Sequence, residues 1–289
     1  MIVNYWPSWF RALYGGDWPL DYCCVDLETT GYLATQDVIT QWGHCLVQDG
    51  KVIDQISLVI DWTEHAVVPD HWLSSRLNCL RQGMEIGGKK CHMSYARMKQ
   101  EGMKPDKAFK FILQFTDTIR KKGIPFVLHG GVFDEKMLCA NVQGFVNPNL
   151  GFTLGDNGWI DTEGVEKASQ DVHQIRFHPQ KNDTLRKYWH RVKYTRVNGL
   201  KSNLDDHCFR KYKFQEEHGI EPKQMHDAKV DSFCCHLLME KFRALIRPTP
   251  ETPPYPSADH KEARKGKTIV MPRPGPLVAL SRVRGQRRT

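Results

Sequence analysis

The sequence predicts an α/β domain built on a mixed central sheet, antiparallel strands first and parallel strands after, flanked by helices. Three observations lead there. Asp49-Gly50 sits between two alternating apolar runs, 38–47 and 52–60, the signature of a tight hairpin. After Pro105, apolar residues recur at Phe109, Ile112, Leu113 and Ile119, the spacing of one helix face, until Gly123-Ile124-Pro125 ends the run. The short apolar run 126–128 then passes into glycines and an acid, the pattern of a buried strand handing over to a helix.

In chain order, residues 1–20 carry Trp6, Trp9, Phe10 and Trp18 and read as an arm packed on the body or on a partner. Strand 1 falls at 22–26, and the hairpin adds strands 2 and 3 as an antiparallel meander. A helix is expected over 69–80, broken by Gly83, Gly87 and Gly88. The strand at 126–128 delivers His129-Gly130-Gly131-Val132-Phe133-Asp134, which sets Asp134 at its carboxyl edge where a helix begins. A polar stretch runs from 160 to 200, followed by a helix over 204–214. Met225-His226-Asp227-Ala228-Lys229-Val230-Asp231 opens the last apolar helix, with Asp227 able to cap it and Asp231 one turn further in. Five prolines between 248 and 256 and a basic run make 247–289 a linker and disordered tail, leaving 21–246 as one core domain.

Of the net charge of +8, residues 259–289 carry +7 and residues 181–201 carry +6, which leaves −5 on the remainder. An acidic body with basic appendages suits a carboxylate site that handles a polyanion. The nine cysteines lack zinc-type spacing, and the pairs Cys23-Cys24 and Cys234-Cys235 lie in apolar runs. A reducing, intracellular setting is therefore expected, cytoplasmic or at the nucleoid, without a disulfide framework or structural zinc. No run of 18 apolar residues exists, so no membrane span is expected.

Chemistry concentrates in Val25-Asp26-Leu27-Glu28-Thr29-Thr30-Gly31. Alternate strand residues share a face, so Asp26 and Glu28 point one way while Val25 and Leu27 face the other layer. Two adjacent carboxylates need a compensating cation, and an all-oxygen pair suits Mg²⁺ or Mn²⁺; a solvent-facing strand end is the plainer alternative. Arg186, Lys187, Trp189, Arg191, Lys193 and Tyr194 interleave cations with rings, a composition suited to a single nucleic-acid strand and equally to an ordinary charged surface.

These three acidic stretches, in this order, resemble the motifs of the DEDDh (DnaQ-like) 3′-to-5′ exonucleases of the ribonuclease H-like superfamily. Ile160-Asp161-Thr162 resembles the family strand after the second motif. The resemblance implies a ribonuclease H-like sheet and two divalent ions, Mg²⁺ or Mn²⁺, held by Asp26, Glu28, Asp134 and Asp231. It implies His226 as general base, Thr29 beside the nucleic acid, and release of 5′-mononucleotides from single-stranded or frayed 3′ ends, DNA before RNA. A freestanding enzyme and a proofreading partner of a DNA polymerase or replication protein are both compatible with it, as is a catalytically silent binding module. The chain departs from the family at Gly130, where Asn is usual, which puts the order of that loop in question.

Overall fold

The computed structural model describes residues 18–34, 37–64, 93–147, 149–154, 158–170, 184–193 and 203–245. The expected aromatic arm apart from its last residues, the helix over 69–80, Tyr194 and the tail 247–289 lie outside them.

Five strands form one sheet, β1 (Tyr22–Thr29), β2 (Ile39–Gln48), β3 (Lys51–Val59), β4 (Phe126–Leu128) and β5 (Ile160–Asp161), ordered β3-β2-β1-β4-β5. β1, β2 and β3 are antiparallel neighbours, while β1, β4 and β5 run parallel. The mixed sheet follows from connection length. Two residues in left-handed backbone, Asp49 and Gly50, close the β2–β3 hairpin, whereas β4 and β5 are each reached through helices.

The two faces of β1 and β2 serve different layers. Asp26 lies opposite Gly43, so both face the same side; Val25 lies opposite His44 and Leu27 opposite Trp42 on the other. On that second side His44 stacks on Phe115 at 4.0 Å, within α2 (Pro105–Lys121), whose buried residues Phe109, Ile112 and Ile119 keep the helical spacing seen in the sequence. α2 follows α1 (Tyr95–Glu101), and α3 (Val132–Phe145) follows β4.

The Asp26 face receives the last long helix, α7 (Ala228–Leu245). Tyr22 fixes it by a hydrogen bond between its hydroxyl and His236 Nδ1 at 2.8 Å. Gly43 makes the approach possible, because a Cβ there would lie 2.0 Å from the Ala228 carbonyl oxygen. The start of α7 thus rests on bare backbone directly opposite Asp26.

Between 160 and 200 the strand expected at Ile160-Asp161-Thr162 is present as β5, and the polar stretch after it contains helices. After β5 comes α4 (Thr162–Gln170), and α5 (Leu185–Lys193) packs against it. The charged residues of α4 are paired rather than solvated: Lys167 Nζ meets Glu163 at 2.6 Å, and Glu166 accepts from Tyr212 and Lys211. The single helix expected over 204–214 is also revised. Leu204 and Asp205 lead into a π-wound turn over Asp206–Lys211, and the short helix α6 (Phe214–His218) starts only after Lys213, which sits in left-handed backbone. The wider winding keeps both His207 and Cys208 in the core while Asp205 lines the cleft above.

Candidate active site

The carboxyl ends of β1 and β4 and the start of α7 converge on one cleft of about 340 Å³. Asp26, Asp134, His226 and Asp231 all line it, although they come from three stretches about 100 residues apart. Asp26 arrives on the extended β1; Asp134 occupies the third position of α3, just beyond the Gly130-Gly131 turn. Asp231 lies one turn into α7, where its N–H donates to the Asp227 carbonyl at 2.9 Å. Asp227 caps this helix as expected, accepting from the Lys229 N–H at 3.1 Å, and is itself held by Gln41 at 3.0 Å.

Glu28 completes the set. One ligand atom each from Glu28, His226 and Asp231 lie within 4.8 Å of one another. His226 takes a left-handed backbone, φ 63°, and its N–H donates to Asp231 Oδ2 at 3.2 Å. That bond ties the histidine to the helix mouth. Its Nε2 stands 3.7 Å from Asp205 Oδ2, a neighbour the sequence reading did not anticipate.

The electrostatics are those of carboxylates crowded together away from water. Loss of water around Asp26 raises its pKa well above the usual carboxylate range, and Asp231, Asp134 and Glu28 add to the shift. Burial likewise raises Asp231, with Glu28 the next contributor. Asp231 is 6% exposed, and its Oδ1 has no hydrogen-bond partner among the described residues. A buried carboxylate oxygen left unsatisfied is costly unless an ion coordinates it, so the residues present fit a hard divalent cation.

Gly130 resolves the question about its loop. It sits at φ 72°, and its N–H donates to Asp161 Oδ1 at 3.0 Å, so the turn is held by a backbone donor. The same oxygen accepts from the N–H groups of Glu163 at 3.0 Å and Gly164 at 3.2 Å, capping α4.

The expected nucleic-acid contacts divide. Thr29 ends β1 at a register shift, and its hydroxyl donates to the Gly31 carbonyl at 2.8 Å. Lys187 is exposed on α5, while Arg191 lies over the Tyr188 ring at 5.2 Å. Lys193 ends α5, its side chain outside the described set. Trp189 is corrected: it is 1% exposed, donates from Nε1 to the Trp159 carbonyl at 2.6 Å and fills the space above Gly164. Its ring belongs to the core and is not offered to a base. Arg186 is drawn inward too, its guanidinium gripping both Glu135 oxygens at 2.8 and 2.5 Å. Among the described residues, Tyr32 and Phe133 are the Phe, Tyr or Trp side chains that line the cleft, their rings 6.0 Å apart and Tyr32 72% exposed. Sequence reading passed over both, because neither lies near a cation run.

The strand order and the acids at the sheet's carboxyl edge define a ribonuclease H-like α/β fold. Among solved structures the chain is similar to E. coli exonuclease I bound to a dA16 oligonucleotide, with TM-score 0.51 and 15% identity over 79% of this chain and 42% of that one. It is similar also to the zinc-bound form of the E. coli exonuclease I complex with single-stranded DNA, with TM-score 0.50 and 15% identity over 77% and 40% of the two chains. The chain therefore spans about two fifths of the length of these structures. No protein-family model matches it, and no curated protein sequence matches it. Among the described residues, no helix is long and apolar enough to cross a membrane.

Proposed function

We propose that the protein is a metal-dependent 3′-to-5′ exonuclease that releases 5′-mononucleotides from single-stranded or frayed DNA 3′ ends. One observation carries the reading: Asp26, Asp134, Asp231 and His226, scattered in the chain, line one cleft, and a buried oxygen of Asp231 lacks a hydrogen-bond partner among the described residues. The single-stranded DNA in the exonuclease I structures that share the fold supports the choice of polymer.

In this reading Asp26, Glu28, Asp134 and Asp231 hold two Mg²⁺ or Mn²⁺ ions. When bound, such a pair lowers the pKa of the attacking water and neutralises charge on the scissile phosphate. His226, at the mouth of α7 and reachable from solvent, accepts the proton of that water. Tyr32 and Phe133 offer their faces to the terminal bases, which sets the strand's end over the acids. The like-charged carboxylates repel a bare phosphate, so substrate and cations enter the cleft together.

The test is degradation of 3′-labelled and 5′-labelled single strands, as DNA and RNA of one sequence, with Mg²⁺ or Mn²⁺. Mononucleotides should leave the 3′ end in a reaction that EDTA stops. Intact strands with both metals would leave a binding module in place of an enzyme, and faster loss of the RNA would move the assignment to an exoribonuclease.

A further inference from the structure

We propose that Glu163 is a specificity-determining residue of the cleft, accepting a hydrogen bond from a donor on the 3′-terminal nucleotide, either a base amino group or a ribose 2′-hydroxyl. Glu163 lines the cleft together with Gly130 and Phe133, although it is only 8% exposed. It is not one of the acids proposed to hold metal. Its carboxylate is anchored through one oxygen: Oε1 meets Lys167 Nζ at 2.6 Å, and Lys167 is buried as well. An ion pair this deep seldom offsets its own desolvation, so stability alone is a weak reason for it.

The second oxygen has room made for it. A Cβ on Gly130 would stand 3.0 Å from Glu163 Oε2, tighter than side chains normally pack, and Gly130 at φ 72° carries none. Among the described residues no hydrogen bond reaches Oε2, while the Glu163 N–H is engaged by Asp161 Oδ1 at 3.0 Å. The ring that would carry a base belongs to the Gly130 turn, since the Phe133 N–H donates to the Gly130 carbonyl at 3.2 Å. An anionic acceptor therefore adjoins the turn that presents the aromatic face.

The chemistry of the pair decides what it reads. Lys167 is a pure donor that fixes Oε1 and blunts the repulsion of Glu163 for phosphate; the remaining oxygen accepts and cannot donate. Such an oxygen favours cytosine, whose N4 amine donates, over uracil or thymine, whose O4 accepts. Where the sugar faces it instead, it favours ribose over deoxyribose. The inference rests on the nuclease reading, because that reading is what puts a 3′ end in the cleft.

The experiment measures binding by fluorescence anisotropy of 5′-labelled single strands on the full chain in Ca²⁺, whose flexible coordination fills an acid site without the strict geometry of Mg²⁺. The strands differ only in the last nucleotide: cytidine or uridine, each as deoxyribose and ribose. Wild type should bind the strand whose donor is read roughly tenfold tighter, cytidine over uridine if the base supplies it and ribose over deoxyribose if the sugar does. Glu163→Gln should abolish that preference. Lys167 would hold the amide oxygen and leave the NH₂ where Oε2 was, so a base preference should turn toward uridine. A purely structural Glu163 would give no such reversal. Equal binding of all four strands by wild type, or the same preference kept in Glu163→Gln, would overturn the proposal. Should the variant not fold, wild type answers with strands ending in N4,N4-dimethylcytidine or a 2′-O-methyl sugar: one of them must lose the advantage, and unchanged binding of both overturns it equally. No binding of any strand would take the nuclease reading down as well, whereas binding without discrimination removes this inference alone.

Discussion

Asp161 and Asp231 are both deeply buried aspartates near the same cleft, and they are satisfied in opposite ways. One oxygen of Asp161 accepts three backbone N–H groups, from Gly130, Glu163 and Gly164. Asp231 faces Glu28 and Asp205, with Oδ1 lacking any hydrogen-bond partner among the described residues. Burial raises the pKa of both, so the direction of the shift does not tell them apart. The partners do. A carboxylate enclosed by backbone donors holds the fold together, and one enclosed by other carboxylates is, in the proposed reading, kept for a cation.

The largest test of this contrast is catalytic. Asp231→Ala, like Asp26→Ala or Asp134→Ala, should lower the rate of 3′-end degradation by several orders of magnitude, because each removes a ligand of the proposed ions. Far-ultraviolet circular dichroism should stay unchanged. If Asp161→Ala in a folded protein cost as much activity as Asp231→Ala, the distinction between the two aspartates would fall.

Next in size is the stability of Asp161→Ala. Three N–H groups, two of them buried, lose their acceptor, so we expect a loss of roughly 3 kcal/mol and a fall in Tm of roughly 6–12 °C. Asp161→Asn, which keeps a carbonyl acceptor, should recover about half of it.

The smallest effect has the opposite sign. In metal-free protein the raised carboxyls of Asp26 and Asp231 keep protons that the unfolded chain has released, so stability falls as pH rises above the usual carboxylate range through their folded-state pKa. Asp231→Asn removes one of these charges and should raise the Tm of EDTA-treated protein at pH 8 by about 2–5 °C. Added Mg²⁺ should abolish or reverse that gain. A Tm for the metal-free variant below wild type at pH 8 would show that the Asp231 carboxylate is stabilised by more than the His226 N–H.

Much of this was legible in the chain and some was not, for identifiable reasons. Strands β1 to β3 announced themselves by alternation and by Asp49-Gly50, and the acids by their place on β1 and at the starts of α3 and α7. α4 was hidden because Glu163, Glu166 and Lys167 read as solvated, although they neutralise one another or find partners in the turn at 211–212. α5 was misread for a related cause. Its buried ridge of Tyr188, Trp189 and Val192 is interleaved with Arg and Lys on the outer face, and letters in a row do not show which face each takes. The π-wound turn left no local signal, and Asp205 went unnoticed with it.

Gly43 carries a consequence for how the proposed activity would be lost. It is no ligand, yet it lies across the ladder from Asp26 and lets the backbone of Ala228 sit where a methyl group would otherwise be. Gly43→Ala would act as a shim beneath α7, lifting Asp231 and His226 together away from the β1 acids while leaving every coordinating atom in the chain. A search for inactive variants should therefore return this silent position alongside the acids themselves, and only a measurement of spacing, not of composition, would explain it.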